Sequence, residues 1–211
     1  MMRLISATPS PYARKVRIAL AEKGLAFELL TEVPWNPDTT VPRYNPLEKL
    51  PVLLLDDGTS VYESSYILEW LERRHPTPPL LPPDDDGILA AKRFDVLANG
   101  ICDAVVLLFF ERLRPEAHRS QPWIDRQLRK IHGGVAELAR LIADGPFAVG
   151  VTFGLGDIAA ASALGYLEVR LTEFDWRGLY PALGRYLDGL MQRPSLRDTV
   201  PYPQAIAAAV V

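Results

Sequence analysis

The chain has 211 residues, of which 48% are hydrophobic and 23% are charged, a balance typical of a globular protein with a buried core. Its formal net charge is -3 and it has no run of lysine or arginine, which argues against nucleic acid as a partner. It has 1 cysteine, Cys102, and three scattered histidines, so the sequence predicts neither a disulfide nor a metal site.

Apolar runs in this chain are short. None at the N-terminus has the pattern of a signal peptide, and none elsewhere reaches the roughly 20 residues of a membrane span. The low cysteine count also fits a reducing compartment. We therefore expect a cytoplasmic protein that does not bind membranes.

The first third of the chain alternates strand and helix patterns. A strand is predicted over 3–6, a helix over 11–23 and a second strand over 27–33. Two more strands, 51–55 and 60–62, flank an Asp-Gly pair that is typical of a β-hairpin turn. A parallel crossover followed by an antiparallel hairpin indicates a small α/β sheet.

A helix capped by Ser64 or Ser65 follows the hairpin. The proline-rich and acidic stretch after it breaks all periodicity, which predicts a first domain over 1–76 and a linker over 77–87. The second domain, 88–211, has no strand pattern and is predicted to be an all-α helical bundle. Its helices are expected over 88–113, 122–143, 157–171 and 181–193.

Three details of the second domain carry further expectations. Its 157–171 helix is almost uniformly apolar and should lie at the centre of the bundle. The Gly133–Gly134 pair weakens its helix but permits close packing. The alanine-rich tail from Ala205 is expected to fray or to pack weakly.

Three segments stand in order along the first domain: residues 10–20 (SPYARKVRIAL), 45–53 (NPLEKLPVL) and 63–64 (Glu-Ser). They resemble, in turn, the first strand-to-helix turn, the segment with a cis-proline and the γ-glutamyl-binding pair of the cytosolic glutathione transferase family. Each motif is weak alone, but their order and the helical second domain extend the resemblance over nearly the whole chain. The most similar group is bacterial, with Ser-Pro-Tyr or Ser-Pro-Phe at the active turn.

The resemblance implies a thioredoxin-like α/β N-terminal domain followed by an all-α C-terminal domain, assembled as a homodimer. It implies a detoxifying enzyme that activates the glutathione thiol and conjugates it to small hydrophobic electrophiles. Glutathione is then a co-substrate, and no resident cofactor is expected. Isomerisation and dehalogenation are also within reach of this fold. A glutathione-dependent disulfide or peroxide reductase and a non-catalytic binding module remain as alternatives.

The resemblance places Ser10 at the sulfur of glutathione. A hydroxyl donor at a helix N-terminus favours a thiolate, the reactive form of a thiol. Ser10 followed by proline is also an ordinary cap pair, and Ser6 and Thr8 on the same turn remain alternative donors.

The remaining glutathione contacts are also implied by the resemblance. Leu50, before a cis Pro51, would pair with the cysteinyl backbone, and Lys49 would meet the glycyl carboxylate. Ser64 would bind the γ-glutamyl carboxylate at a helix N-terminus, and Glu63 the ammonium group. A trans proline, a solvated lysine and a simple helix cap are the ordinary alternatives.

Residues of the second substrate's pocket are implied in the same way. They are Tyr12 on the first helix and Asn99, Asp103, Val106 and Phe110 on one side of the long helix. A bundle core with a polar edge would produce the same pattern.

The segment 154–158 (GLGDI) resembles a buried capping box of the family, but Gly154 replaces the usual serine or threonine. We therefore expect a structural role for Asp157.

Overall fold

The computed structural model describes residues 1–207 and 210. It divides into two compact units. The N-terminal unit contains Met1–Leu80 and, of the described C-terminal residues, 193–207, and the helical unit contains Leu81–Gln192 together with Val210. The domain extents expected from the sequence stay a prediction, but they did not anticipate that the segment after Arg193 returns to the N-terminal unit.

The N-terminal unit is built on one four-stranded sheet, in the order β2-β1-β3-β4. The strands are β1 (Met2–Ser6), β2 (Phe27–Thr31), β3 (Val52–Leu54) and β4 (Ser60–Val61). Strand β1 pairs parallel to β2 and antiparallel to β3, and β3 pairs antiparallel to β4. The sheet and its helices, followed by the helical unit, confirm the predicted fold class.

The register of the sheet determines which loops lie together. Ile5 pairs with Val52 and Leu53 with Val61, so the carboxyl ends of β1 and β4 and the amino end of β3 share one edge. Both long helices of this unit, α1 (Pro11–Glu22) and α2 (Ser64–Arg74), follow β1 and β4 and begin at that edge. We call it the active edge.

The opposite end of the N-terminal unit is held by a buried ion pair. Lys23 Nζ lies 2.6 Å from the Glu72 carboxylate and donates to the carbonyl oxygens of His75 and Pro78 at 2.7 and 2.8 Å. The Lys23 side chain is fully buried, so these three acceptors satisfy its ammonium group without water. The pair joins the ends of α1 and α2 to the segment that follows them.

The helical unit contains no strand among its described residues. Its helices are α3 (Asp85–Leu113), α4 (Gln121–Ile142), α5 (Leu155–Arg170), α6 (Trp176–Leu179) and α7 (Pro181–Leu190), while α8 (Pro194–Arg197) belongs to the N-terminal unit. Helix α5 is buried from Gly156 to Leu167, as its apolar sequence predicts. A Cβ on Gly134 would lie 2.5 Å from Ile101 Cγ1, so the glycine does permit close packing of α4 on α3. Across residues 1–207 and 210, no helix is both long and apolar enough to cross a membrane.

Asp157 organises the start of α5. Its carboxylate accepts the backbone N–H groups of Ala148 and Gly154, at 2.7 and 2.9 Å, and the hydroxyl of Tyr186 at 2.7 Å. Gly154 has no side chain to return the bond, so only half of a capping box is formed. Burial raises the pKa of Asp157 above its ordinary value, against the opposing effect of these hydrogen bonds.

Candidate functional site

Ser10 lies at the active edge as the N-cap of α1. Its side-chain oxygen accepts the backbone N–H of Ala13 at 3.2 Å, and Pro11 occupies the first helical position. The hydroxyl is half-buried at the positive end of a 12-residue helix. The cap bond uses an acceptor lone pair, so the hydroxyl hydrogen stays available to a ligand.

The other two hydroxyl groups of this turn are engaged differently. The Ser6 hydroxyl is buried and points to the carbonyl oxygen of Ala7 at 3.4 Å. The Thr8 hydroxyl donates to the carbonyl oxygen of Tyr202 at 3.1 Å. Both therefore direct their hydrogens to the backbone. Tyr12 is half-buried in the first turn of α1.

The segment before β3 is shaped by Asn45, a residue whose role the sequence analysis missed. Asn45 is fully buried, and its side chain accepts the Leu47 N–H at 2.9 Å and donates to the Lys49 carbonyl oxygen at 2.8 Å. An Asn-Pro pair favours such a turn, which is the sequence signal that could have revealed it. The Leu50–Pro51 peptide bond that follows is cis, as the resemblance implied.

Leu50 and Lys49 are both accessible at this edge. Leu50 is half-buried, and within the described residues its backbone N–H and C=O have no hydrogen-bond partner. The Lys49 side chain is exposed. Together they present a backbone donor, a backbone acceptor and a cation beside β1.

Helix α2 begins one or two residues earlier than predicted, because Glu63 is its N-cap. The Glu63 carboxylate accepts the Tyr66 N–H at 3.0 Å from an extended backbone position. The prediction that Ser64 or Ser65 caps this helix was wrong. Ser64 is instead the first helical residue, only 1% exposed, and its hydroxyl has no partner in the part of the chain that the structure describes.

The structure thus brings six of the predicted residues to one edge of one sheet: Ser10, Lys49, Leu50, Pro51, Glu63 and Ser64. Two helix N-termini and Lys49 bring positive charge to that edge and Glu63 brings a carboxylate, which suits a ligand that has both carboxylates and an ammonium group. No group of three potential metal ligands occurs among the described residues.

The predicted residues of the long helix lie in the helical unit. Asn99, Asp103, Val106 and Phe110 share one side of α3; Asp103 is exposed and the others are half-buried. The Asn99 amide donates to Asp95 at 3.3 Å. These side chains form a mixed polar and apolar strip on their own unit.

An α/β unit with a cis-proline loop and two helix N-termini at one sheet edge, followed by a helical unit, is the domain arrangement of a thioredoxin-like protein with an all-α C-terminal domain. The chain matches the family signature described as Glutathione S-transferase, N-terminal domain, over residues 9–74, and that of the C-terminal domain over 121–189. The chain belongs to the glutathione S-transferase family, with a thioredoxin-like fold.

Three similar proteins are consistent with this membership. A glutathione S-transferase of Methylobacterium radiotolerans JCM 2831, in complex with glutathione sulfonate, is 68% identical with a TM-score of 0.98, covering 100% of this chain and 99% of its own. One from Methylobacillus flagellatus KT with glutathione bound is 39% identical with a TM-score of 0.91, covering 95% and 100%. The GST-like protein YibF of Escherichia coli (strain K12) is 36% identical, over 95% of this chain and 98% of its own.

Proposed function

We propose that this protein is an enzyme that ionises the glutathione thiol at Ser10 and conjugates the sulfur to small hydrophobic electrophiles. One observation carries the proposal: the sheet register places the Ser10 turn, the Leu50–Pro51 bond and the Glu63–Ser64 pair at a single edge. Three segments separated by up to about fifty residues can therefore hold one extended tripeptide.

Unused hydrogen-bonding groups support this mode of binding. The N–H and C=O of Leu50 would pair with the cysteinyl residue as a short added strand. The unpartnered Ser64 hydroxyl and the N-terminus of α2 would hold the γ-glutamyl carboxylate. Glu63 would meet the ammonium group, and Lys49 the glycyl carboxylate.

Ser10 is the favoured sulfur donor on chemical grounds. Ser6 and Thr8 already direct their hydroxyl hydrogens to backbone carbonyls, whereas Ser10 accepts at its oxygen and has its hydrogen available. A hydroxyl donor and a helix N-terminus both favour the thiolate, and each unit of lowered thiol pKa is worth about 1.4 kcal/mol. The thiol proton passes to solvent, the sulfur forms a bond to an electrophilic carbon, and the leaving group departs.

On the helical unit, the candidate contacts of the second substrate are Asn99, Asp103, Val106 and Phe110 of α3, and Tyr12 is a separate candidate on the N-terminal unit. The mixed apolar and polar character of that strip supports a small hydrophobic electrophile. A role in detoxification within the cytoplasm, where glutathione is reduced, follows from the same chemistry.

A homodimer is also part of the proposal. Leu89, Val96 and Leu107 are 65%, 72% and 42% exposed on α3, at spacings that place them on one helix side. Exposed apolar side chains that line one helix side are typical of protein interfaces. Analytical ultracentrifugation of the Val96→Glu variant tests this part, since a dimer that uses this side would dissociate.

The decisive experiment is an ultraviolet titration of the thiolate of bound glutathione in wild type and Ser10→Ala. We expect the wild-type complex to ionise well below the ~8.5 of an ordinary thiol. Ser10→Ala should abolish most of that shift and cost about 1 kcal/mol of stability through the lost cap. Ser6→Ala is the matched control, because it removes a hydroxyl of the same turn that faces a backbone carbonyl oxygen.

Equal thiol pKa values in wild type and Ser10→Ala would refute the assignment of Ser10. Binding with no shift in the wild type would refute the enzyme reading in favour of a binding module. Turnover of aryl halides against small disulfides separates conjugation from reduction. The position of Cys102, 3% exposed in the helical unit, gives reduction through a protein mixed disulfide no support.

A further inference from the structure

The C-terminal segment is fastened along α1. The Arg193 guanidinium forms a two-pronged pair with the Glu22 carboxylate, at 3.0 and 2.6 Å, at the carboxyl end of the helix. Nearer the amino end, Arg14 is buried and donates to the Leu196 carbonyl oxygen at 3.3 Å. The chain therefore runs back toward the start of α1 and delivers residues 201–207, which we call the C-terminal strap, to the active edge.

At that edge the parallel ladder between β1 and β2 ends early. Its last direct bond joins the Glu32 N–H to the Ser6 carbonyl oxygen at 2.8 Å. Because the bonds of a parallel ladder recur every two residues, the next would join the Thr8 N–H to the Glu32 carbonyl oxygen. Pro34 has no N–H to continue the ladder beyond that point, so the two strands separate here.

Gln204 fills the position of the missing bond. Its side-chain Oε1 accepts the Thr8 N–H at 3.3 Å, and its Nε2 donates to the Glu32 carbonyl oxygen at 3.4 Å. One carboxamide thus satisfies the donor and the acceptor that would otherwise pair directly. It spans the gap between the carboxyl ends of two parallel strands, where ligands of α/β folds usually bind.

Two further bonds hold the strap on either side of Gln204. The Tyr202 carbonyl oxygen accepts the Thr8 hydroxyl at 3.1 Å, and the Ala207 N–H donates to Asn36 Oδ1 at 2.9 Å. The loop after β1 and the loop after β2 are therefore tied to the same seven residues. The expectation that the tail from Ala205 frays or packs weakly stays a prediction, since Ala205 and Ala207 are exposed although the Ala207 N–H is bonded, and positions 208, 209 and 211 lie outside the described residues.

We propose that Gln204 is a positioning residue for the sulfur-activating turn. Thr8 stands two residues before Ser10, and the turn between them is closed by the Ser10 N–H bond to Ala7 at 3.1 Å. By holding Thr8 at a fixed distance from β2, Gln204 fixes the direction from which the Ser10 hydroxyl meets the glutathione sulfur. This inference rests on the proposed function and adds the residue that orients its donor.

The test compares wild type with Gln204→Met, which keeps the length of the side chain and removes both hydrogen bonds. Gln192→Met is the matched control, because it removes an exposed amide that donates to a helix carbonyl oxygen at 3.4 Å in the other unit. Three quantities are measured: amide hydrogen exchange over residues 8–13, the thiol pKa of bound glutathione, and the dissociation constant of glutathione sulfonate, which has no thiol.

Gln204→Met should raise amide exchange at the start of this turn about tenfold, since the Thr8 N–H loses its acceptor. The thiol pKa should rise by about half a unit or more, toward that of free glutathione. Affinity for glutathione sulfonate should stay within about threefold, since the proposed contacts of Lys49, Leu50, Glu63 and Ser64 are unaltered and the direction of the Ser10 hydroxyl alone changes. Gln192→Met should leave all three quantities at their wild-type values.

Unchanged exchange in Gln204→Met would overturn the inference, because the bridge would then not hold the turn. Faster exchange with an unchanged, depressed thiol pKa would also overturn it, by showing a purely structural strap while the proposed function stands. A wild type without a depressed thiol pKa would remove the proposed function itself, and the inference with it.

Discussion

Replacement of Asp157 by alanine should destabilise the protein by about 3–5 kcal/mol. The change leaves three donors without their acceptor: the part-buried Ala148 and Gly154 N–H groups and the buried Tyr186 hydroxyl. Each orphaned donor costs about 1–3 kcal/mol, and water that enters the vacated volume recovers part of the sum. Against a typical total of about 5–15 kcal/mol, the variant folds but with a large loss.

Asp157→Asn separates hydrogen bonding from charge. Burial raises the pKa of this carboxyl, so the ionised form bears a desolvation cost that asparagine does not. The amide keeps one acceptor oxygen, and we expect a loss of about 1–3 kcal/mol, smaller than for alanine.

Urea denaturation followed by circular dichroism gives these free energies of unfolding. Asp175→Ala is the control, since Asp175 is an exposed helix cap that accepts a single backbone N–H, from Gly178 at 2.9 Å, and should cost about 1 kcal/mol. Equal losses for Asp157→Ala and Asp175→Ala would refute the reasoning. Turnover per folded molecule should be unchanged in Asp157→Ala, because Asp157 acts on folding and not on substrate.

Two further predictions use matched comparisons. Gly134→Ala should destabilise the protein by about 1–3 kcal/mol, because its Cβ would lie 2.5 Å from Ile101. Gly133→Ala, whose Cβ would have no atom within 4 Å, should stabilise it by about 0.5–1 kcal/mol. Thermal melts check both predictions, since the two variants should shift the melting temperature in opposite directions. Burial acts to raise the pKa of Glu32, but hydrogen bonds from Thr39 and Thr40 outweigh it and hold that pKa below 4.5. The ionised carboxylate therefore stabilises the fold above about pH 4.5, and this stabilisation is lost as pH falls through the folded-state pKa. The stability difference between wild type and Glu32→Gln should therefore be largest at pH 7 and shrink below pH 4.5, and a difference that does not vary with pH in urea titrations would contradict this origin.

Local patterns were enough to predict most elements of the fold. The helix predicted over 11–23 is observed as Pro11–Glu22, and that over 122–143 as Gln121–Ile142, because proline starts and apolar spacing are signals within one element. The short helix α6 was not predicted, since its four residues span barely one turn and carry no periodicity. The cis bond at Pro51 followed from the resemblance and not from the residues themselves.

The cap of α2 shows where local patterns are ambiguous. Serine is a better N-cap than glutamate by preference, which favoured Ser64 or Ser65. Glu63 takes the position because its longer side chain can fold back to the Tyr66 N–H, and this leaves the Ser64 hydroxyl buried and unpartnered. This departure from the usual N-cap preference occurs at a predicted ligand contact. A binding site needs a donor that the protein itself does not use, and the Ser64 hydroxyl is such a donor.

The strap was beyond prediction for a different reason. Gln204 meets Thr8 across 196 positions and Glu32 across 172, and nothing in the alanine-rich sequence around it indicates a partner. Its role depends on two distant features. Pro34 ends the ladder between β1 and β2 and so leaves a gap, and Arg14 on α1 anchors the chain that returns to fill it. The entropic cost of closing a loop rises only slowly with the length of the loop, so a few well-placed hydrogen bonds suffice to order this segment. A contact of this kind can be found in a structure but not in a pattern, and the Gln204→Met titration decides whether it serves the chemistry of Ser10.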